Sequence, residues 1–230
     1  FVSRASDFTE DRPIRGGIPV IFPQFGSGPL PQHGFARTSE WELVSTGIVS
    51  ATLRLTETPA TLVCWPYPFR LELSLALEAS ALTIVLRVEN SGTQAFPFRA
   101  ALHTYFAVEE IARTAVRGLQ GVTLIDSLRD DLHEVESRPV IRFEEETDRI
   151  YINAPDTLAI EEEADGMTIV KTGMPDVVVW NPWIAKSQRM RDFGDDEYRH
   201  MLCVETGIIA EDRLLAANAR WQGETRFTGD

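Results

Sequence analysis

Cysteine is nearly absent from this 230-residue chain, in which Cys64 and Cys203 are the only two and lie far apart. That excludes a disulfide framework and the closely spaced pairs of a zinc site, and it points to a reducing, cytoplasmic compartment. The four histidines, His33, His103, His133 and His200, fall in no H-x-H or H-E-x-x-H arrangement, so no metal site is expected. No apolar run approaches the roughly 18 residues that span a bilayer, which excludes an integral membrane protein of the helical kind. Basic excess is lacking too. The net charge is −13, which argues against nucleic acid and anionic membrane surfaces as partners. An anionic small molecule can still bind where arginines gather locally. Arginine far outnumbers lysine, a bias of composition that by itself assigns no arginine a role. The chain begins Phe1-Val2-Ser3 without a methionine, so the lack of a signal peptide carries little weight.

What is present is alternation. Hydrophobic residues make up 43% and charged residues 25%, proportions of an ordinary globular protein with one substantial core, expected as a single domain over residues 1–230. Leu71, Leu73, Leu75 and Leu77 fall on one face of an extended segment, and Leu82, Ile84, Leu86 and Val88 on one face of the next. The short turn between them predicts an antiparallel hairpin. Further strands are expected over 41–49, 51–55, 96–102, 140–143, 158–161, 167–172, 177–180 and 202–206. Helix is expected only around Pro182–Arg189, with Asn181 as its cap, and as a single turn at 111–114. The fold class is therefore all-β, with antiparallel sheets packed as a sandwich.

The loop from Phe22 to Gly34 holds three prolines and three glycines, and a loop of that length is often a binding loop. It runs into Leu30-Pro31-Gln32-His33-Gly34-Phe35-Ala36-Arg37, downstream of Ile14-Arg15-Gly16-Gly17-Ile18-Pro19. Arg15 and Arg37 bring guanidinium forks that suit phosphate or carboxylate. Gln32 and His33 add hydrogen bonds suited to sugar hydroxyls. Read alone, His103 fits a buried structural histidine as well as a proton donor near neutrality. Glu205 ends an apolar run before Gly207 and fits either a base with a raised pKa or a strand end facing water. Trp180 and Trp183 can stack on a sugar or simply pack. The acidic-aromatic segment Asp192–Tyr198 lacks calcium-loop spacing and reads as a solvated turn. Its Asp-Phe-Gly triplet has no other kinase signature around it.

Taken in order, Ile14–Pro19, Leu30–Arg37, Leu102-His103-Thr104-Tyr105-Phe106, Thr147-Asp148-Arg149-Ile150-Tyr151, Val179-Trp180-Asn181-Pro182-Trp183 and Cys203-Val204-Glu205 resemble the glucose-6-phosphate 1-epimerase (hexose-6-phosphate mutarotase) family of the aldose 1-epimerase group. The resemblance covers nearly the whole chain. It implies a galactose-mutarotase-like β-supersandwich, without the strands that family members carry before the equivalent of Phe1. It also implies interconversion of the α and β anomers of a 6-phosphorylated aldohexose. By motif position, His103 matches the acid that protonates the ring oxygen and Glu205 the base that takes the C1 hydroxyl proton. Arg15, Gln32, Arg37 and Asp148 match substrate-binding positions, and His33 a second imidazole that polarises sugar oxygens.

The chemistry agrees with these residues. Mutarotation needs one proton given and one removed, with no metal, nucleotide or other cofactor, and a positioned acid or base contributes about 10²–10⁴-fold. The alternatives are an aldose 1-epimerase for unphosphorylated sugar, a non-catalytic sugar-phosphate-binding β-sandwich, and a structural β-domain. Nothing fixes the oligomeric state, for which a monomer suffices.

Overall fold

A computed structural model gives the structure of the protein and describes residues 1–9, 12–163 and 165–229. Two antiparallel sheets dominate the described residues. Across the first, the strand order is Val140–Arg142, Ala115–Arg117, Thr157–Glu161, Gly166–Thr172, Arg220–Gly229, Ala81–Asn90, Phe69–Leu77, Ser50–Thr56 and Glu42–Thr46. Across the second it is Val20–Ile21, Phe96–Leu102, Met201–Leu215, Asp176–Asn181, Thr147–Tyr151, Thr123–Asp126 and Leu132–Val135, with Tyr105–Ala107 also paired to Met201–Leu215. The hairpin read from the leucine alternation is present, pairing Leu77 with Leu82 and Leu71 with Val88.

The sheets differ in what their faces meet. In the first, Leu71, Ile84, Leu86 and Val88 point into the core while their neighbours are more exposed, which produces the period-two pattern. In the second, both faces are covered. Leu102, Val177, Val179, Leu202 and Val204 pack between the sheets, with Phe22, Phe69, Phe96 and Phe98 in the same cluster. Ile21, Ala101, Val178, Trp180, Met201 and Cys203 form a second cluster on the opposite face. Strands buried on both sides read as near-continuous apolar runs, as in Asp176–Asn181, where all six residues are buried.

Several elements depart from the sequence expectation. The strand expected over 41–49 stops at Thr46, because Gly47 and Ser50 close a turn. The helix expected over Pro182–Arg189 is a short one, Trp183–Ser187, whose first backbone N–H donates to Asn181 Oδ1 at 2.8 Å. Residues 111–114 do form one turn, closed by Thr114 N–H on the Glu110 carbonyl. In the segment Asp192–Tyr198, Asp195 and Asp196 do lie exposed in a turn, but the residues flanking them are packed. Phe193 is buried, Asp192 pairs with Arg15, and Glu197 accepts from the Gly194 and Arg4 backbone N–H groups. Among the described residues, no helix is long and apolar enough to cross a membrane.

Candidate active site

Register on the second sheet assembles the site. Leu102 pairs with Thr206, so His103, which follows Leu102, stands beside Glu205, which precedes Thr206. Glu205 pairs with Val178, and Val178 with Ile150, one row across the sheet. The adjacent row carries Asp148 opposite Trp180, Trp180 opposite Cys203, and Cys203 opposite Tyr105. Because side chains alternate along a strand, these residues share the face turned away from the inter-sheet core. That face is the floor of a cleft of about 660 Å³, lined among others by Arg15, Gln32, His33, Arg37, His103, Asp148 and Glu205. All seven residues singled out in the sequence thus meet in one cavity.

The wall over this floor is the loop read from its prolines and glycines. Phe35 and Ala36 N–H groups both donate to the Phe22 carbonyl and close the loop on itself. Gly34 sits there at φ +71°, where a Cβ would collide with the Phe22 carbonyl, so only glycine fits. His33 beside it also takes a positive φ of 66°, and its Nδ1 accepts from the Gly26 N–H at 3.3 Å. That bond leaves the proton on Nε2. Burial, with Arg37 and Arg15 close by, pulls His33 down to about 3, so the ring is neutral at physiological pH.

His103 Nε2 lies 3.3 Å from Glu205 Oε1, with both side chains buried. Tyr105 lies parallel to the His103 ring, centroids 4.8 Å apart and planes 8° from parallel. Burial, then His33, Arg37 and Arg15, holds His103 well below the usual imidazole range. Burial, then the charge of Asp148, pushes Glu205 well above the usual carboxylate range, against the pull of Arg37. Both shifts favour the uncharged forms. His103 Nδ1 and Glu205 Oε2 are buried with no hydrogen-bond partner, a cost of about 1–3 kcal/mol each that native structures confine to special sites.

The cations of the cleft are individually oriented. Arg15 donates through Nε to Asp192 Oδ2 at 3.1 Å and through Nη1 to the Tyr105 hydroxyl at 3.2 Å. Arg37 donates to the Gln32 carbonyl at 2.8 Å. Asp148 is pushed up to about 6, chiefly by burial and against the pull of Lys186. Trp180 lines the cleft, whereas Trp183 packs on Tyr198. Among the described residues, no group of three or more His, Cys, Asp or Glu side chains is placed to hold a metal ion.

The sequence alone assigns no site role to Asp192, Lys186 or the hydroxyl of Tyr105. Asp192 reaches Arg15 across 177 positions, so no local pattern marks it. Lys186 had a visible signal: it is one of two lysines in an arginine-rich chain and lies three residues after Trp183 of a quoted motif.

A family model described as aldose 1-epimerase matches residues 11–228. A curated protein from Cenchrus ciliaris named "Putative glucose-6-phosphate 1-epimerase" is 38% identical over 238 residues, covering 97% of this chain and 72% of its own length. The crystal structure of "a putative mutarotase" from Salmonella typhimurium is similar with a TM-score of 0.91 at 29% identity, over 100% of this chain and 79% of that one. A galactose mutarotase related enzyme from Lactobacillus acidophilus, 16% identical, shares the fold with a TM-score of 0.76 over 93% of this chain and 82% of that one. With its all-β, galactose-mutarotase-like fold, the chain belongs to the aldose 1-epimerase family and is an isomerase of the epimerase type.

Proposed function

We propose that the cleft interconverts the α and β anomers of a hexose 6-phosphate, with glucose 6-phosphate as the reference substrate. His103, as imidazolium, gives its proton to the ring oxygen while Glu205, as carboxylate, takes the proton of the C1 hydroxyl. The C1–O5 bond breaks, the C1 aldehyde forms, and rotation about C1–C2 presents the other face. Reversal of the same two transfers recloses the ring and returns both protons. The pair begins and ends with one proton between its two members, and their 3.3 Å contact lets the ligand-free pair settle that proton on either side. Burial makes the imidazolium a stronger acid and the carboxylate a stronger base than in water.

The observation that carries the phosphate is Arg37. Of the cleft cations, Arg15 is paired with Asp192, Arg99 with Asp212 and Lys186 with Glu146. No carboxylate of the described residues lies within ion-pair distance of Arg37, which keeps free donors toward the cavity. A cation left without its counter-charge in a cleft is matched by an anionic substrate group. Gln32 and Arg15 complete that end of the cleft, Asp148 accepts from sugar hydroxyls at the other, and the neutral His33 donates through Nε2 to a sugar oxygen. Binding energy from the phosphate then holds C1 and O5 in register with the acid and base. The reaction fits the cytoplasm, where Cys64 and Cys203 stay as free thiols.

The test is anomer exchange followed by NMR saturation transfer on glucose 6-phosphate, glucose and galactose. Acceleration of glucose 6-phosphate well beyond the other two is the expected result. His103→Ala and Glu205→Gln each lower that rate about 10²–10⁴-fold with the fold intact. Equal rates on glucose point instead to an aldose 1-epimerase for unphosphorylated sugar. Binding of glucose 6-phosphate with no acceleration at all identifies a sugar-phosphate-binding protein.

A further inference from the structure

Lysine occurs at two positions in this chain, and neither is an ordinary surface cation. Lys171 is fully buried, and its ammonium donates to the Ala154 and Pro175 carbonyls. Lys186 lines the cleft. It projects from the short helix Trp183–Ser187, and its Nζ stands 3.0 Å from Glu146 Oε1 and 3.9 Å from Asp148 Oδ2. The same nitrogen lies 5.8 Å from the centroid of the Trp180 ring, and Trp180 is the strand partner of Asp148. The ammonium is therefore held over the row that carries the acidic wall of the site.

That wall is crowded with like charge. Asp148 faces Glu146 from its own segment, Asp126 from the neighbouring strand and Asp131 from the turn beyond it, and its charge reaches Glu205 on the cleft floor. Arg149, the next residue along, is engaged by Asp126 at 3.3 Å. Lys186 is the cation that faces Asp148. A half-buried carboxyl among carboxylates takes up a proton unless a positive charge opposes it. Once protonated, it turns one of its two acceptor oxygens into a donor. An ammonium is a compact point charge that fits between two carboxylates, where a planar guanidinium commits to one.

We propose that Lys186 is a positioning residue that bridges Glu146 and Asp148, keeping Asp148 a carboxylate turned toward the cleft so that sugar hydroxyls can donate to it. The role in sugar binding rests on the reading of the cleft as a hexose phosphate site, whereas the hold of Lys186 on Asp148 does not. Two measurements separate these parts. The first is KM and kcat for glucose 6-phosphate from about pH 6 to about pH 9 in the wild type, Lys186→Met, Lys186→Gln and Lys186→Arg. The second is the carboxyl carbon chemical shift of Asp148 across the same range, read by NMR without substrate.

In Lys186→Met and Lys186→Gln, KM is expected to rise about tenfold near neutrality with kcat changed less than about twofold. That excess shrinks as the pH rises and Asp148 ionises unaided. Ionisation of the sugar phosphate affects every variant alike, so it cancels in the ratio to wild type. Lys186→Arg keeps the charge but commits it to one carboxylate, so it recovers only part of the KM, and the Asp148 titration midpoint moves up in both neutral variants. A raised KM that ignores pH, a loss confined to kcat, or an unmoved Asp148 midpoint overturns the proposal. If the wild type accelerates no anomer exchange, the hexose phosphate reading fails, and the Asp148 midpoint alone then decides whether Lys186 holds that carboxylate.

Discussion

His103 and Glu205 touch at 3.3 Å because Leu102 and Thr206 are paired across two strands of one sheet. The contact is fixed by backbone register, so neither side chain needs a long reach to meet the other. It also makes their titration a joint property. With the carboxyl pushed above its ordinary 4.5 and the imidazole below its ordinary 6.5, the folded pair holds one proton over the whole interval between.

This sets the pH dependence of stability. Above pH 6.5 the unfolded chain has released both protons, so for as long as the raised carboxyl keeps its proton in the folded pair, stability falls as pH rises, by up to about 1.4 kcal/mol per pH unit. Below pH 4.5 the unfolded chain binds two protons, and for as long as the lowered imidazole stays neutral in the folded pair, stability falls as pH falls. In Glu205→Gln neither state binds a proton at this site above pH 6.5, so the alkaline fall disappears and the acid fall begins at 6.5 instead of 4.5. Urea midpoints for both proteins across this range read the difference, since groups away from the cleft titrate alike in the two. Parallel curves would mean that the pair does not share one proton.

Much of this was legible in the sequence, for reasons that differ by sheet. The hairpin of Phe69–Leu77 and Ala81–Asn90 has one buried and one exposed face, so its alternation survives in the residue order. Thr147–Tyr151 and Tyr105–Ala107 carry site residues, but the first mixes polar side chains into both faces and the second is only three residues long, so no periodicity marks them as strands. Arg220–Gly229 hides its pattern differently, by turning Gly223 and Thr225 into the core between Trp221 and Phe227. The site residues stood out by type and by motif, since an imidazole and a carboxylate in apolar runs are conspicuous. What local order could not give is pairing: Asp192 as the partner of Arg15, Lys186 as the partner of Asp148, and Arg37 as the cation left over.

That leftover charge yields the second prediction. Charge-assisted hydrogen bonds contribute about 1.5–3 kcal/mol, so Arg37→Ala is expected to raise KM for glucose 6-phosphate about 10- to 150-fold while leaving KM for glucose nearly unchanged. Arg37→Lys recovers part of the loss, because an ammonium keeps the charge but not the fork. Inorganic phosphate should compete with substrate in the wild type and lose potency in Arg37→Ala. Arg15→Ala behaves differently. It frees Asp192 and the Tyr105 hydroxyl together, and Tyr105 stacks on His103, so kcat falls along with affinity. An unchanged KM for glucose 6-phosphate in Arg37→Ala would remove the argument for a phosphorylated substrate.

The floor of the site depends on a carboxylate that takes no part in its chemistry. The strand Met201–Leu215 shifts register between Ile208 and Arg213, which leaves the Ile209 and Ala210 N–H groups without a ladder partner. Asp176 Oδ2 accepts both, at 2.8 and 2.9 Å, and Oδ1 accepts the Asn153 N–H at 3.2 Å. Asp176 is 4% exposed, so water does not replace it freely. Removing the carboxylate in Asp176→Ala strands three donors, each costing about 1–3 kcal/mol where it is buried, and the sum expected is roughly 3–5 kcal/mol. Asp176→Asn keeps one acceptor oxygen and should lose about half of that. Urea unfolding measures both, and a loss under about 1 kcal/mol in Asp176→Ala would show that the bulge satisfies its donors some other way. Because Val178, two residues along the same strand, pairs with Glu205, the bulge and the catalytic pair share a strand. The variant should therefore lose activity at the temperature where it unfolds, with kcat near wild type below it.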